Sequence, residues 1–178
     1  METMTHQLTI SRPVGGIVEP DSFVAAMGAV AGSVTVVATD GPGGRFGQTV
    51  SSFCSVSADP PQVLGCLNKR SPLCAALEIN QNFSINVLSE TQSHIADIFA
   101  GRPRAGKPYD FGSINWTDGP NGCPLIDGAT STFSCTLDNR IAGGSHYIYV
   151  GGVVAASRTN NPPLVYRSRE YGRHIPFM

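Results

Sequence analysis

The residues whose chemistry is easiest to interpret form one short run, Asn68-Lys69-Arg70-Ser71-Pro72. A serine directly before a proline is typical of a helix start, where the hydroxyl caps the first turn and the proline takes its first position. A helix N-terminus carries partial positive charge and unpaired backbone amides, and here two cations lie beside it. The run predicts a site for an anion, most naturally phosphate, and an ordinary helix cap with two solvated cations is the alternative.

A second polar run upstream of it consists of Gln48, Thr49, Val50, Ser51 and Ser52. In a strand, Thr49 and Ser51 share one face while Val50 and Ser52 share the other. Short hydroxyl side chains leave room for a flat ligand and offer it hydrogen bonds, whereas a strand that faces solvent is the alternative. Residues 47–71 together predict strand, turn, strand and helix start, which suits a phosphate-bearing cofactor held against a β-sheet.

His146 is a third candidate, because it opens a predicted strand directly after a Gly-Gly turn. It has the same parity in that strand as Ile148 and Val150, so its ring is predicted to face an apolar surface at the rim of a barrel. There it would donate a hydrogen bond beside a cofactor or substrate, or else serve only the structure.

Several kinds of site find no support. The sequence has no G-x-G-x-x-G after a strand, no Walker A run, no H-E-x-x-H and no G-x-S-x-G. The 5 cysteines form no C-x-x-C pair, so we expect no metal site and free thiols in a reducing cytoplasm. A net charge of -1 without a basic run argues against nucleic acid as a main partner. No apolar run has the length of a membrane span, and the N-terminus lacks the apolar core of a secretory signal, so we expect no membrane association.

Three helices are predicted over residues 21–31, 71–80 and 89–101. Asp21 or Ser22 would cap the first, which carries one apolar face and is followed by a terminating glycine at position 32. Ser89 and Gln92 form a capping box for the third, which Gly101 would end.

Strands are predicted over residues 33–39, 45–56 (as one or two strands), 63–67, 83–88, 129–140, 145–156 and 164–166. Segment 129–140 is the clearest, because apolar and polar residues alternate along it and predict one buried and one polar face. The Ala-Gly-Gly run at 142–144 predicts a hairpin turn, and the Gly-Gly pair at 151–152 a bulge. Residues 102–128 are predicted to be a long irregular connection.

Six or seven strands and three short helices, without β-α-β alternation, predict a mainly β fold, an antiparallel barrel with helices covering its ends. At 178 residues we expect one domain. Residues 1–19 are predicted to be a flexible arm and residues 20–178 the domain. Residues 167–178, which include Tyr171 and Arg173, are interpreted as a polar, mobile tail.

Five segments carry a family resemblance: FVAAMGAVAGSVTVVAT, GQTVSSFCSVSADPPQVLGCLNKRS, FSINVLSETQSHIADIFAG, GSHYIYVGGVV and LVYRSREYG. In this order, over residues 22–172, the chain resembles the flavin reductase-like family, the small reductase components of two-component flavin-dependent monooxygenases. The resemblance implies an FMN-binding split β-barrel, usually a homodimer with the flavin near the subunit interface. It also implies that FAD or FMN is reduced by NADH, or by NADPH in its place, and released to a partner monooxygenase.

Carried over by position, the resemblance implies a role for each of several residues. The isoalloxazine ring and ribityl chain would lie along Gly47, Gln48, Thr49, Val50, Ser51 and Ser52. The ring edge and the phosphate would contact Cys66, Leu67, Asn68, Lys69 and Ser71, with Lys69 and Ser71 nearest the anion. The far side would be closed by Phe99, Ala100 and Gly101. The nicotinamide would contact His146, in a Gly-Ser-His that stands where the family has Gly-Asp-His, and more weakly Tyr171 and Arg173.

Two further hypotheses stay open beside this one. A split barrel that binds flavin or haem without turnover would use the same helix start. A hydrolase would use Ser51 or Ser52 with His146, although no nucleophile elbow supports it. The lack of a catalytic triad does not argue against a reductase, because hydride transfer depends on orientation and the cofactors supply the reactivity.

Overall fold

The structure, a computed structural model, describes residues 16–177. The helices in this range are α1 (Pro20–Gly28), α2 (Pro72–Asn80) and α3 (Ser93–Phe99), with a 3-10 turn at Phe111–Ser113. The strands are β1 (Gly32–Ser33), β2 (Thr35–Thr39), β3 (Phe46–Val50), β4 (Phe53–Ala58), β5 (Pro61–Asn68), β6 (Asn82–Val87), β7 (Trp116–Asp118), β8 (Pro124–Ile126), β9 (Ser131–Gly143), β10 (His146–Arg158), β11 (Leu164–Arg167) and β12 (Glu170–Arg173). None of the helices in this range is long and apolar enough to cross a membrane. Most of the predicted arm, residues 1–15, lies outside the described residues.

Seven strands form one antiparallel sheet in the order β3-β2-β6-β9-β10-β5-β4. Its two edge strands, β3 and β4, follow each other in the chain and are joined only by Ser51 and Ser52. Three residue steps reach at most about 11 Å, so the two edges of the sheet must lie close together. The sheet is therefore rolled into a barrel with its seam between β3 and β4, and the predicted antiparallel barrel is confirmed.

Strand β2 is buried along its whole length, because the barrel has a core on each side of it. Val37 packs in the barrel interior with residues that include Val50, Leu67, Phe83, Ile85 and Tyr149. Val36 and Ala38 lie in a second cluster outside the barrel, with Leu88, Ile95, Ile98, Phe99 and Phe111. Helix α3 contributes several members of this outer cluster, so it is fixed against the back of β2 and β3.

The paired strands β9 and β10 differ from the prediction at their turn. The ladder continues to the Gly143–His146 pair, so the connection is Gly144-Ser145, with Gly144 at φ +52°, rather than the predicted run 142–144. The predicted bulge at 151–152 is confirmed by a register shift between Val150 and Gly151. A side chain at position 151 would collide with the ring of Phe83, so the glycine there serves close packing.

The polar face of β9 is partly buried, contrary to its prediction. Thr132 and Ser134 are 9% and 1% exposed. They are covered because the connection between α3 and β9, predicted to be irregular, contains a β-hairpin. Its β7–β8 hairpin packs over the neighbouring strand β6, where the Ser84 hydroxyl and the Asn86 amide both donate to the carbonyl of Pro124. Ser84 and Asn86 are the cross-strand partners of Ser134 and Thr132, so the hairpin covers this face of both strands.

Helix α1 is shorter than predicted and lies open on the surface. Pro20 occupies its first position and no side chain caps it, so the Asp21 or Ser22 cap is wrong. It ends at Gly28, and Gly32 pairs in β1 instead of terminating the helix. No residue of α1 is buried, and its apolar side chains are about half exposed.

Helix α3 and the C-terminal segment also depart from prediction. Gln92 Oε1 accepts the Ser89 amide at 3.0 Å, which is half of the predicted capping box, but the helix begins only at Ser93. The predicted mobile tail is wrong, because β11 and β12 form a hairpin. Its turn is tied to the end of α1 by the Ser168 amide, which donates to the Gly28 carbonyl at 2.7 Å.

Candidate functional site

A cavity of about 470 Å³ opens between strand β3 and the start of helix α2, and we call it the β3–α2 cavity. This volume falls in the range of small-molecule sites. Its lining brings together two of the predicted polar runs, with additional residues from other loops. The residues used below are Arg45, Gly47, Gln48, Asn68, Arg70, Ser71 and Tyr109.

The predicted helix start at Ser71 and Pro72 forms. Ser71 is the N-cap, its Oγ accepts the Leu73 amide at 3.3 Å, and Pro72 holds the first helical position. Because Oγ acts as an acceptor in this cap, the hydroxyl hydrogen is available to a ligand in the cavity. The turn before it is closed by the Ser71 amide on the Asn68 carbonyl at 2.9 Å and by the Arg70 amide on Asn68 Oδ1 at 3.0 Å.

A buried thiol supports the same turn from below. Cys74 is 5% exposed and its Sγ donates to the Asn68 carbonyl at 3.3 Å. Burial raises the pKa of the Cys74 thiol, so the group stays protonated and remains a donor at neutral pH. The Asn68 backbone is therefore fixed on two sides, by its own turn and by the helix that follows.

Lys69 does not reach the cavity, contrary to its predicted place beside the anion. Its ammonium lies 5.1 Å from the centroid of the Tyr147 ring, and its amide donates to the Ser145 carbonyl at 3.0 Å. The guanidinium of Arg140 lies over the same ring, 4.6 Å from its centroid. Arg70 is the cation of this run that lines the cavity.

Arg45 is a cation of the β3–α2 cavity that the sequence did not indicate. Its Nε donates to Asp40 Oδ2 at 2.6 Å, and its guanidinium lies 4.3 Å from the centroid of the Trp116 ring. Arg45 ends the tight turn that precedes β3, and Asp40 together with Trp116 in the later β7 explains its orientation. Tyr109, another residue not predicted, lines the same cavity with its backbone at φ +59°.

Gln48 lines the cavity and carries an unsatisfied acceptor. Its Oε1 is buried and has no hydrogen-bond partner within residues 16–177. A buried oxygen without a partner carries a desolvation cost. With two arginines and the Ser71 hydroxyl in its lining, the cavity fits a flavin nucleotide, which presents phosphate oxygens.

Gly47 is a cavity residue through its backbone alone. A Cβ there would lie 2.9 Å from ring atoms of both Phe99 and Phe111, on the side away from the cavity. Phe99 is 0% exposed and Leu67 is 1% exposed, so their side chains belong to the core and not to a ligand surface. Their predicted contact with the cofactor therefore stays a prediction that would involve the backbone and not these side chains.

The second half of the predicted strand run lines a different, smaller cavity of about 150 Å³, which we call the β3–β12 cavity. Its lining residues are Val34, Thr49, Val50, Ser51, Ala100, Arg102, Tyr166 and Tyr171. The Thr49 hydroxyl donates to the Ala96 carbonyl at 2.8 Å, which joins β3 to α3. Gly101, at φ +74°, ends the region of α3 as predicted. Of the predicted residues Phe99 to Gly101, only Ala100 lines this cavity.

Tyr171 has its hydroxyl engaged inside the protein. It donates to Asp97 Oδ1 at 2.9 Å, and burial followed by this hydrogen bond raises the pKa of Tyr171 to about 12. The neighbouring ring of Tyr166 lies 5.4 Å away between centroids. Arg173 lines neither cavity and borders a separate groove together with Tyr171, so the structure brings it to Tyr171 but not to the other predicted residues.

His146 lies beside the β3–α2 cavity without lining it. It is the cross-strand partner of Asn68, and its Nδ1 lies 2.9 Å from the Ser145 hydroxyl. Ser52 lies on the other side of β5 from His146, where the Cys66 amide donates to the Ser52 carbonyl at 3.1 Å. His146 and Ser52 are thus two strands and two residues apart, roughly 12 Å between Cα atoms, so no Ser52–His146 pair forms for a hydrolase.

The fold and the site define an antiparallel sheet rolled into a barrel, with a cationic cavity suited to a phosphate-bearing ligand. The family model of the flavin reductase-like domain matches residues 27–174, and the chain belongs to this family. It is 35% identical over 148 residues to the FMN reductase (NADH) RutF of Stutzerimonas stutzeri (strain A1501), covering 82% of this chain and 83% of that protein.

Solved structures show the same fold. BorF, the flavin reductase component of a bacterial two-component tryptophan halogenase, matches with a TM-score of 0.78 and 33% identity over 87% of this chain and 98% of that one. The NADH:FAD oxidoreductase SgcE6 of Streptomyces globisporus C-1027, in complex with NAD and FAD fragments, matches with a TM-score of 0.79 and 29% identity over 91% of this chain and 98% of that one. The predicted split barrel and family are thereby confirmed.

Proposed function

We propose that the chain is an NADH-dependent flavin reductase that acts on FMN or FAD and releases the reduced flavin to a partner monooxygenase. The observation that carries the proposal is the β3–α2 cavity, where Arg45, Arg70 and the Ser71 hydroxyl converge. The flavin reductase activity agrees with the relatives, which are named FMN reductase (NADH) and NADH:FAD oxidoreductase.

The chain's own residues supply binding and orientation. Arg70 and the capped start of α2 would neutralise the flavin phosphate. When bound, the flavin supplies the hydride-accepting ring, and NADH supplies the hydride. No proton donor is obligatory for that transfer, so the protein's contribution is to hold the two rings in contact and to exclude water.

We assign His146 to the nicotinamide side of the site. Its pairing with Asn68 places it one strand spacing, about 5 Å, from the cavity lining. Its contact with Ser145 orients the ring, so the other ring nitrogen is left for the substrate. Tyr171 has its hydroxyl committed to Asp97 and Arg173 lies apart, so both have lesser support as nicotinamide contacts.

We also propose that the chain is a homodimer. The apolar face of α1 is open to solvent, with Phe23, Val24 and Met27 each more than half exposed, as is Val30 just after the helix. The outer face of the barrel adds the exposed apolar residues Val56, Ile141 and Val154. An exposed apolar helix face of this kind marks protein interfaces, so a solution mass of two chains is expected in light scattering. A monomer whose flavin reduction is complete would reject this part of the proposal.

The partner and the compartment follow from the same chemistry. BorF is by name the reductase component of a two-component halogenase, and it supports a flavin-dependent oxygenase as the consumer of the reduced flavin. We place the reaction in the cytoplasm, where NADH is available and the 5 free cysteines stay reduced.

A steady-state matrix tests the activity. Purified protein is mixed with NADH or NADPH and with FMN, FAD or riboflavin, and the loss of nicotinamide absorbance is followed. Flavin-dependent oxidation of NADH is expected. Tight flavin binding without oxidation of either nucleotide would instead identify a non-catalytic flavin-binding barrel, and co-purified haem would identify a haem-binding one.

A further inference from the structure

We propose that Arg45 is a binding residue that selects phosphorylated flavins over riboflavin, and that Asp40 and Trp116 position its guanidinium at the β3–α2 cavity. The inference rests on the proposed function for its ligand class. It goes further by assigning substrate selection to a turn and an aromatic residue that lie outside the segments carrying the family resemblance.

The guanidinium of Arg45 is held on two sides. Its Nε donates to Asp40 Oδ2 at 2.6 Å, and Asp40 Oδ1 in turn accepts the Gly41 amide at 2.9 Å. The plane of the guanidinium lies over Trp116, 4.3 Å from the ring centroid. The side chain is 42% exposed, so a ligand that enters the cavity can reach it.

Trp116 is itself anchored in the outer core. Its ring meets Phe111 edge to face at 6.0 Å, and Phe111 packs on Phe99 at 4.7 Å between centroids. A cation held over an indole face gains favourable energy and loses little mobility when a ligand binds. The orientation of Arg45 is therefore set before the ligand arrives.

The chemistry of this arrangement favours a phosphate group. The contact to Asp40 uses Nε, so both terminal nitrogens of Arg45 remain donors for an anion. Arg70 and the Ser71 hydroxyl line the same cavity, and together they match a phosphate that carries nearly two negative charges. Riboflavin lacks the phosphate and so gains nothing from Arg45.

Direct binding is the primary test, because it does not depend on turnover. Titration of flavin fluorescence gives dissociation constants of wild type and Arg45→Gln for FMN, FAD and riboflavin. We expect Arg45→Gln to weaken FMN and FAD binding by roughly 10- to 100-fold and to change riboflavin binding by less than about twofold. Arg45→Lys keeps the charge but loses the planar fork, so an intermediate loss is expected.

Arg158→Gln is the matched control. It removes the same charge from an exposed arginine at the far end of β10, roughly 40 Å along the strand from His146. It should leave all three flavin affinities unchanged. Equal weakening of FMN and riboflavin by Arg45→Gln, or equal weakening of FMN by Arg158→Gln, would overturn the proposal.

Asp40→Asn separates positioning from charge. The substitution makes the cavity more positive by one unit, so simple attraction predicts tighter FMN binding. Positioning by Asp40 predicts the opposite, a loss of roughly three- to tenfold for FMN without a change for riboflavin. Tighter FMN binding by this variant would reject the positioning role of Asp40.

Trp116→Phe and Trp116→Leu test the ring. The phenyl ring keeps a face for the guanidinium, so it should retain most of the FMN affinity, whereas the leucine variant should lose roughly threefold or more. Identical FMN affinities in these two variants would reject the ring's role. If wild type binds FMN more tightly than riboflavin through Arg45 but oxidises no NADH, the proposed reductase activity fails while this inference stands.

Discussion

Asn68 and His146 are direct cross-strand partners in the β5–β10 ladder. Partners in an antiparallel pair project their side chains from the same face of the sheet, with Cβ atoms about 5 Å apart. Asn68 lines the β3–α2 cavity, and His146 is exposed next to it. The flavin side and the nicotinamide side of the proposed site thus meet at this one residue pair of the β-sheet.

His146→Ala is expected to lower turnover more than flavin affinity. The ring lies beside the cavity and not in it, so its loss removes a contact to the nicotinamide and leaves the phosphate site intact. We expect kcat/KM for NADH to fall roughly tenfold, with the FMN dissociation constant changed by less than about threefold. His94→Ala, on the exposed face of α3, is the control and should change neither. Equal losses in NADH turnover and FMN affinity for His146→Ala would contradict this division of roles.

Substitutions in the β5–α2 turn should separate Arg70 from Lys69. Arg70→Ala is expected to weaken FMN binding by roughly tenfold, because its guanidinium faces the cavity. Lys69→Ala should change FMN affinity little, because the ammonium rests on the Tyr147 ring. Titration with FMN measures both, and each variant removes one positive charge, so Lys69→Ala is the charge control. A larger loss for Lys69→Ala would contradict the observed orientation of the turn.

The start of α2 was predictable because it depends only on neighbouring residues in the sequence. A capping serine and a proline at the next position determine a helix N-terminus within a few residues, and Ser71 and Pro72 form it as predicted. The choice between Lys69 and Arg70 was not local. It depends on how the turn is held, and the turn is held by the Lys69 amide, which donates to the Ser145 carbonyl in the distant β9–β10 hairpin.

The remaining site residues are placed by long-range contacts, which the periodicity of the sequence does not predict. Arg45 reaches the cavity because Trp116, from a connection predicted to be irregular, lies under its guanidinium. Thr132 and Ser134 are buried because the same connection covers β6 and β9. The alternation of apolar and polar residues predicted strand β9 correctly. Which element covers each face of the strand depends on the whole fold and could not be predicted from that segment.

Gly47→Ala should destabilise the barrel. The added Cβ would lie 2.9 Å from ring atoms of Phe99 and Phe111, inside van der Waals contact, in a core that cannot expand freely. We expect the free energy of unfolding to fall by about 1–3 kcal/mol, measured by urea denaturation. Gly172→Ala, where no atom lies within 4 Å of the new Cβ, is the control and should stay within about 0.5 kcal/mol of wild type. An unchanged urea midpoint for Gly47→Ala would show that the two rings can move apart.

Tyr171→Phe should reveal a pH-dependent contribution of the Tyr171–Asp97 hydrogen bond. Burial and that bond raise the pKa of Tyr171 to about 12, from an ordinary value near 10. A phenol that holds its proton more tightly in the folded state stabilises the fold fully below about pH 10, and this stabilisation is lost as the pH rises toward 12.

Urea denaturation of wild type and Tyr171→Phe at several pH values measures the effect. At pH 8 we expect the variant to be less stable by about 1 kcal/mol, and above pH 10 we expect the two stability curves to converge. Asp97→Asn keeps an acceptor for the hydroxyl but removes the charge, so its loss at pH 8 should be smaller. A wild type–variant difference that stays constant from pH 8 to beyond pH 10 would mean that the hydroxyl is no more strongly protonated in the fold than in the unfolded chain.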